Sequence, residues 1–242
     1  MRKLIIVALV LTAARLSAQQ WNWPETPKNL QVMKGFTGRQ LGPVMRGFTR
    51  ALGVRCTYCH VGEEGKPLSA YDFVSDANPN KDRARAMLRM LGSINDQLKT
   101  FPASSEKRVN MWCHTCHMGK PRPTSLDEEM RDAYLKSGIN AAIARYHELR
   151  EKYYGKGGYD FSDRALNSMG RELLEQKKPD EAIAIYHLST TEYPQSAGSW
   201  DGLAEAYAAA GKPRIAAIYY RKSLELDPAN ENALAKLAEI EK

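Results

Sequence analysis

The sequence lacks long hydrophobic runs. Its longest apolar stretch near the start, residues 4–11, is far shorter than the ~20 residues that a membrane-spanning helix needs, which excludes a multi-span membrane protein. The first 18 residues contain no Asp or Glu, and no cysteine follows the stretch to carry a lipid. Arg2 and Lys3 precede the stretch and small residues lead to Ala18. This pattern predicts a cleaved signal peptide over residues 1–18 and a periplasmic mature protein.

Acidic residues are scarce in the first half of the chain. Residues 19–124 carry a net charge of +8 and residues 125–242 a net charge of −4, within a total of +7. With 43% apolar and 26% charged residues, the chain is neither disordered nor collagen-like. The charge step predicts a basic domain over residues 19–124 that is joined to a mildly acidic domain over residues 125–242.

Cysteine is also scarce, and none of the four cysteines lies outside two identically spaced motifs. The motifs are Cys56-Thr57-Tyr58-Cys59-His60 and Cys113-His114-Thr115-Cys116-His117. Both are C-x-x-C-H, the pattern for covalent attachment of c-type haem. Two thiols one turn apart can both add to the porphyrin vinyl groups, and the adjacent imidazole, His60 or His117, then binds the iron. A zinc site or two disulfides are the alternatives, but neither requires a histidine after each second cysteine.

Methionines upstream of each motif are candidates for the sixth iron ligand, although methionine is also an ordinary core residue. Before the first motif the sequence predicts a helix from about Pro43 to Gly53, with Met45 on the face that returns to the motif. Met45 is the favoured ligand of the first iron, and Met33 is a weaker competitor. The first haem is therefore predicted to have His60 and Met45 as its axial ligands.

A longer helical pattern precedes the second motif, over residues 82–98 with Asn80 as the expected N-cap. Its apolar stripe contains Met87 and Met90, one turn apart. Met90 is the favoured sixth ligand of the second iron and Met87 the alternative. His114 lies inside the attachment loop, where it is too constrained to reach its own iron.

Residues 30–123 resemble the tetrahaem cytochrome subunit of photosynthetic reaction centres. The resemblance is carried by residues 53–61, 73–76, 81–95 and 113–119. It implies a helix, a turn and a C-x-x-C-H motif for each haem, with Met45 serving the first haem and Met90 the second. The chain departs from the family in containing one two-haem half and in lacking the lipid-attachment cysteine. In the family, one haem takes a histidine from the other half.

The last third of the chain repeats with a period of 34 residues. The recurring positions are Leu166, Met169, Gly170, Leu173, Ala182, Tyr186 and Pro194, followed by Trp200, Leu203, Ala204, Tyr207, Ala216, Tyr220 and Pro228. This tetratricopeptide pattern predicts paired helices, with further helices over residues 127–135 and 139–153 and an insertion at 155–158. The predicted fold is mainly α, a small multihaem cytochrome c domain followed by an α-solenoid.

The repeat domain is expected to dock a protein partner and to carry no chemistry of its own. Its histidines, His147 and His187, are interpreted as packed or solvated side chains. A partner groove is predicted along the first helices of the repeats. The residues that would line it are Asn167, Arg171, Asp201 and Glu205.

These features predict a one-electron carrier between periplasmic or membrane-associated redox proteins. Its basic surface would meet an acidic docking surface, and a membrane-bound electron-transfer complex is a candidate partner. The propionates of two haems would cancel about half of the basic excess, so nucleic acid is not an expected partner. The alternatives are a dihaem peroxidase, if one iron has no sixth ligand, and an assembly scaffold in which the repeats are the main function.

Overall fold

The structure, a computed structural model, describes residues 21–102 and 110–242. The described residues form α-helices and two short 3₁₀ turns, and their one β-bridge, between Val61 and Asp72, is isolated. The prediction of a mainly α protein is confirmed. The predicted signal peptide, residues 1–18, lies outside the described residues.

The chain divides into two compact units, Met1–Thr115 and Cys116–Lys242. The described helices of the first unit are α1 (Gly38–Leu52) and α2 (Pro79–Leu98), and α3 (Cys113–His117) crosses the division. The predicted domain boundary between residues 124 and 125 stays a prediction. Within the described ranges, no helix is both long and apolar enough to cross a membrane.

Helix α1 begins earlier than the sequence predicted. A capping box at Thr37 starts it, with the Gln40 side chain accepting from the Thr37 backbone N–H, so Pro43 lies inside the helix and not in its first turn. Its end at Gly53 is confirmed, because Gly53 adopts the left-handed conformation with φ 64°. The face that carries Met45 therefore belongs to a helix of four turns.

Helix α2 also differs at its start. The N-cap is Asn78, whose side-chain oxygen accepts from the backbone N–H of Asn80 at 3.0 Å, and Pro79 occupies the first helical position. The prediction of Asn80 as the cap is wrong by two residues. The side chain of Asn80 is instead used in a tertiary contact, described below.

The second unit is a stack of antiparallel helices. Its helices are α4 (Leu126–Ser137), α5 (Ile139–Tyr153), α6 (Asp163–Glu175), α7 (Pro179–Glu192), α8 (Ala197–Ala209), α9 (Pro213–Leu226) and α10 (Glu231–Ile240). The predicted bounds of α5 are confirmed. Ser125 caps α4, and Glu128 completes a capping box.

Tyr186 on α7 is the central packing residue of the first repeat. Its ring is 3% exposed and lies between Gly170 on α6 and Gly202 on α8. A Cβ at Gly170 would come within 2.5 Å of the ring, and one at Gly202 would overlap it. The glycines therefore let three helices approach one aromatic ring, as the repeat pattern predicted for Gly170.

Substituting Gly202 with alanine tests this packing. We expect Gly202→Ala to destabilise the repeat unit by about 1–3 kcal/mol, because the buried Tyr186 ring has no space to move away from the new methyl group. Thermal unfolding followed by circular dichroism measures the effect. Gly198→Ala on the same helix is the control, since its Cβ would meet no atom closer than 3.9 Å. Equal melting temperatures for the two variants would contradict the prediction.

Candidate haem-binding sites

The first C-x-x-C-H motif forms a tight turn. Residues Cys56–Tyr58 make a 3₁₀ turn, and the backbone carbonyl of Cys56 accepts from the N–H groups of Cys59 at 3.3 Å and of His60 at 3.0 Å. This local geometry brings both cysteines and the histidine of the motif onto one compact turn. It suits the attachment of two thiols and one imidazole to a single group.

The start of α2 holds this turn in place. Asn78 donates its side-chain N–H to the carbonyl of Thr57 at 3.2 Å, and Asn80 donates to the carbonyl of Tyr58 at 3.0 Å. The Sγ atom of Cys59 lies 3.9 Å from the backbone oxygen of Asn80. Two consecutive backbone carbonyls of the motif are thus satisfied by side chains of one helix end, which fixes the turn against α2.

The His60 ring packs against Phe73. The two ring centroids are 5.0 Å apart, and the interplanar angle of 73° is an edge contact. Burial, with the positive charges of Lys81 and Arg85, lowers the pKa of His60 to about 4. The imidazole is therefore neutral at pH 7, as an iron ligand must be. Its buried Nδ1 atom has no hydrogen-bond partner in the protein.

A polar network holds the loop that carries Phe73. Asp76 forms ion pairs with Arg85 at 2.9 Å and with Lys81 at 3.0 Å, and it accepts from the side chain of Asn29 at 2.9 Å. These hydrogen bonds, led by that from Arg85, hold the pKa of Asp76 well below its usual range. Lys81 also donates to three successive loop carbonyls, residues 73–75. The loop is thereby fixed next to His60.

The predicted methionine ligands lie on α1 and α2. Met45 is half-buried on α1, whereas Met87 and Met90 are 41% and 49% exposed on α2. Met33, the weaker competitor, precedes α1 and adopts a positive φ of 57°. Their assignment as iron ligands stays a prediction.

The segment that leads into the second motif is anchored at two points in the first unit. Asn95 on α2 donates to the carbonyl of Met111 at 3.0 Å and accepts from its N–H at 2.7 Å. The ring of Trp112 stacks on Phe48 of α1, with centroids 5.7 Å apart. The chain therefore enters the second motif in a fixed position.

His117, the last residue of the second motif, is buried in the second unit with 9% exposure. Its Nδ1 atom lies 2.9 Å from the backbone oxygen of Lys120. Since a carbonyl oxygen only accepts, Nδ1 donates a proton to it, and Nε2 is the ring nitrogen that is left for a metal. A hydrogen bond of this kind fixes the tautomer and orientation that a metal-binding histidine requires.

Two hydrogen bonds between Lys120 and His117 close the turn that follows His117. Lys120 donates its backbone N–H to the carbonyl of His117 at 2.8 Å, in addition to accepting from the imidazole. Met118 and Gly119 both have positive φ, 48° and 81°, as a type I′ turn requires. Glycine at residue 119 therefore supports the position of the His117 ring.

Cys56, Cys59 and Cys116 carry free thiols, which thioether attachment requires. In the described ranges, no three side chains among His, Cys, Asp and Glu come together as a metal site.

The described part of the first unit has an unusual distribution of apolar side chains. Its only buried apolar residues are Leu41 and Ala51. Large apolar side chains near the motifs or on α2 stay 41–62% exposed, namely Val61, Val74, Met87, Met90, Phe101 and Trp112. These side chains are available to contact a large apolar ring system such as a porphyrin.

Residues 12–148, more than half of the chain, match the family model for the photosynthetic reaction centre cytochrome C subunit. The chain belongs to this family. Membership implies covalently bound haem c, in agreement with the C-x-x-C-H motifs. Residues 197–240 match a tetratricopeptide repeat model, so the predicted combination of a cytochrome with such repeats is confirmed.

A curated relative is cytochrome c-554 of Chloroflexus aurantiacus, 33% identical over 109 residues. The match covers 43% of this chain and 24% of the relative, so the chain spans about a quarter of that protein's length. Among solved structures, the second tetratricopeptide domain of human RPAP3 with an HSP70 peptide covers 48% of this chain and 92% of its own, at 16% identity and TM-score 0.36. The first such domain of Spaghetti with an HSP90 peptide covers 48% and 87%, at 20% identity and TM-score 0.34.

The predicted groove residues of the repeats have mixed environments. Asn167 accepts from the hydroxyl groups of Ser189 and Ser199, so its side chain is used within the repeat. Asp201 and Glu205 share the side-chain amide of Asn232, at 3.0 and 2.9 Å. Their role in partner binding stays a prediction, as does that of Arg171, which is exposed.

Proposed function

We propose that this protein is an exported dihaem c-type cytochrome that carries single electrons between redox proteins. The observation that carries the proposal is that one helix anchors the first C-x-x-C-H motif and also Met111, in the segment that leads into the second motif. Asn78 and Asn80 at the start of α2 hold the first motif, and Asn95 near its end holds the entry to the second.

In this proposal, each motif holds one haem through its two thiols. Cys56 and Cys59 bind the first haem, and Cys113 and Cys116 bind the second. His60 and His117 are the proximal iron ligands. The bound haems would supply one-electron exchange at iron, and the protein holds the imidazoles in place: Phe73 packs on His60, and the Lys120 carbonyl orients His117.

Mass spectrometry of the mature protein tests the haem number and export together. We expect a chain that begins at Gln19 and carries two added haems. The double variant Cys56→Ala/Cys59→Ala should retain only the second haem, and Cys113→Ala/Cys116→Ala only the first, because each pair attaches one porphyrin. A mature chain with no added haem, whose sulfurs are bridged or bind zinc, would refute the proposal.

The methionine ligands are tested by volume-matched leucine variants. We expect Met90→Leu to abolish the sulfur-to-iron charge-transfer band of the second haem and to lower its midpoint potential, because thioether ligation raises the potential. Met45→Leu should do the same for the first haem. Met87→Leu is the matched control one turn away on α2 and should leave both haems unchanged. If the charge-transfer band of the second haem is lost in Met87→Leu and retained in Met90→Leu, Met87 is the ligand and the assignment of Met90 is wrong.

We propose that the physiological partners are redox proteins with an acidic docking surface, and that a membrane-bound electron-transfer complex is among them. The support is the net charge of +8 in residues 19–124, which the propionates of two haems reduce by about half, opposed to −4 in residues 125–242. Nucleic acid is not a proposed partner. The repeats provide a separate surface for a protein partner, with the helices α6 and α8 carrying the predicted groove residues.

The salt dependence of electron transfer tests the charge argument without knowledge of the partner. We expect oxidation by ferricyanide, an anion, to slow as ionic strength rises, and reduction by hexaammineruthenium, a cation, not to slow. The reason is that salt screens the attraction of an anion to the basic surface near the haems. Since the two domains carry opposite charges, the salt dependence of these rates reports the electrostatic field near the haems and not the net charge of the protein. The same salt dependence for both reagents would contradict the proposal.

A further inference from the structure

A contact inside the second unit connects the helical stack to the proposed ligand of the second haem. The ammonium of Lys120 lies over the ring of Tyr159, 3.8 Å from its centroid. Lys120 is only 5% exposed, which is rare for a lysine. Its ammonium also donates to the backbone carbonyl of Thr124. The side chain is therefore held at a defined place.

The backbone of the same residue controls His117. The carbonyl of Lys120 accepts from Nδ1 of the imidazole at 2.9 Å, and its N–H donates to the carbonyl of His117 at 2.8 Å. A displacement of Lys120 would move the acceptor that orients the imidazole ring. The side chain of Lys120 thus fixes the position of its own carbonyl, and through it the position of His117.

Tyr159 belongs to the segment between α5 and α6, which follows the insertion that breaks the repeat period. Its ring makes an edge contact with Tyr153 at the end of α5, with centroids 5.3 Å apart, and a second with Phe161 at 6.0 Å. Gly158 is buried, and a Cβ there would lie 3.4 Å from the carbonyl oxygen of Met118. The segment therefore packs against the turn that follows His117.

We propose that Tyr159 is a positioning residue for the second haem, acting through Lys120 on the imidazole of His117. The inference rests on the proposed ligation of the second iron by His117. It gives the segment between α5 and α6 a function: the helical stack holds the turn that carries an axial ligand. The effect of Tyr159 is on the orientation of the imidazole, through Lys120.

The test is Tyr159→Leu in the full-length haem-loaded protein, read by electron paramagnetic resonance of the oxidised state and by redox titration. Leucine keeps apolar volume but removes the aromatic face that attracts the ammonium. We expect the low-spin signal of the second haem to broaden and its midpoint potential to rise. A loosened Nδ1–H bond makes the imidazole a weaker donor to ferric iron. The first haem should be unchanged in both measurements.

Two further variants serve as matched controls. Tyr159→Phe keeps the ring face, so its second haem should have the same low-spin signal and midpoint potential as in the unsubstituted protein. Tyr154→Leu removes an equivalent contact, since Arg150 lies 4.4 Å from the centroid of the Tyr154 ring, and Tyr154 is exposed. It should leave the second haem unchanged.

An unaltered second haem in folded, fully loaded Tyr159→Leu would overturn the inference, and so would an equal change in Tyr154→Leu. If Tyr159→Leu does not accumulate with both haems, Tyr159→Met is measured in the same way, because methionine keeps more of the side-chain length. An unaltered second haem in Tyr159→Met would then overturn the inference. Failure of the proposed function is recognised separately, because the unsubstituted protein would then lack the second haem by mass.

Discussion

The asparagine side chains of α2 are the constraint on which the order of the first unit depends, from the first motif to the segment that leads into the second. Asn78 and Asn80 satisfy carbonyls of the first motif, and Asn95 pairs in both directions with the backbone of Met111. Asn80 and Asn95 are separated by fifteen residues of helix, or about 22 Å along its axis. Because the helix is rigid and the hydrogen bonds go to backbone groups, the spacing between the first motif and Met111 is independent of most side chains between them.

The two units differ in how much apolar surface they bury. The second unit has its own core, in which rings such as Tyr146 and Tyr186 are almost fully buried. The described part of the first unit buries only two apolar side chains. Its order rests on polar contacts, chiefly the Asp76 network and the asparagines of α2. Such a unit gains most from a large apolar cofactor, because the hydrophobic contribution is otherwise small.

Residues close in sequence were sufficient to predict some helix ends and caps, but not the burial of Lys120. The end of α1 at Gly53 and the capping box at Ser125 follow from residues close in sequence. The N-cap of α2 was predicted wrongly, because two asparagines compete for that role and Pro79, which suits the first helical position, makes the preceding Asn78 the cap. The burial of Lys120 had no signal in its own neighbourhood, since its partner, Tyr159, is 39 residues away. In the sequence, the one feature that marks this segment is the insertion at residues 155–158, which breaks the repeat period before Tyr159.

The two histidines of the motifs have chemically different environments. His60 contacts an aromatic edge and lies near the positive charges of Lys81 and Arg85, without a protein partner for Nδ1. His117 donates Nδ1–H to a carbonyl. A donated proton increases the electron-donating power of an imidazole towards a metal, whereas nearby cations oppose added positive charge. Identical motifs are therefore placed in unequal surroundings, and the difference comes from the segments around each motif and not from the motifs themselves.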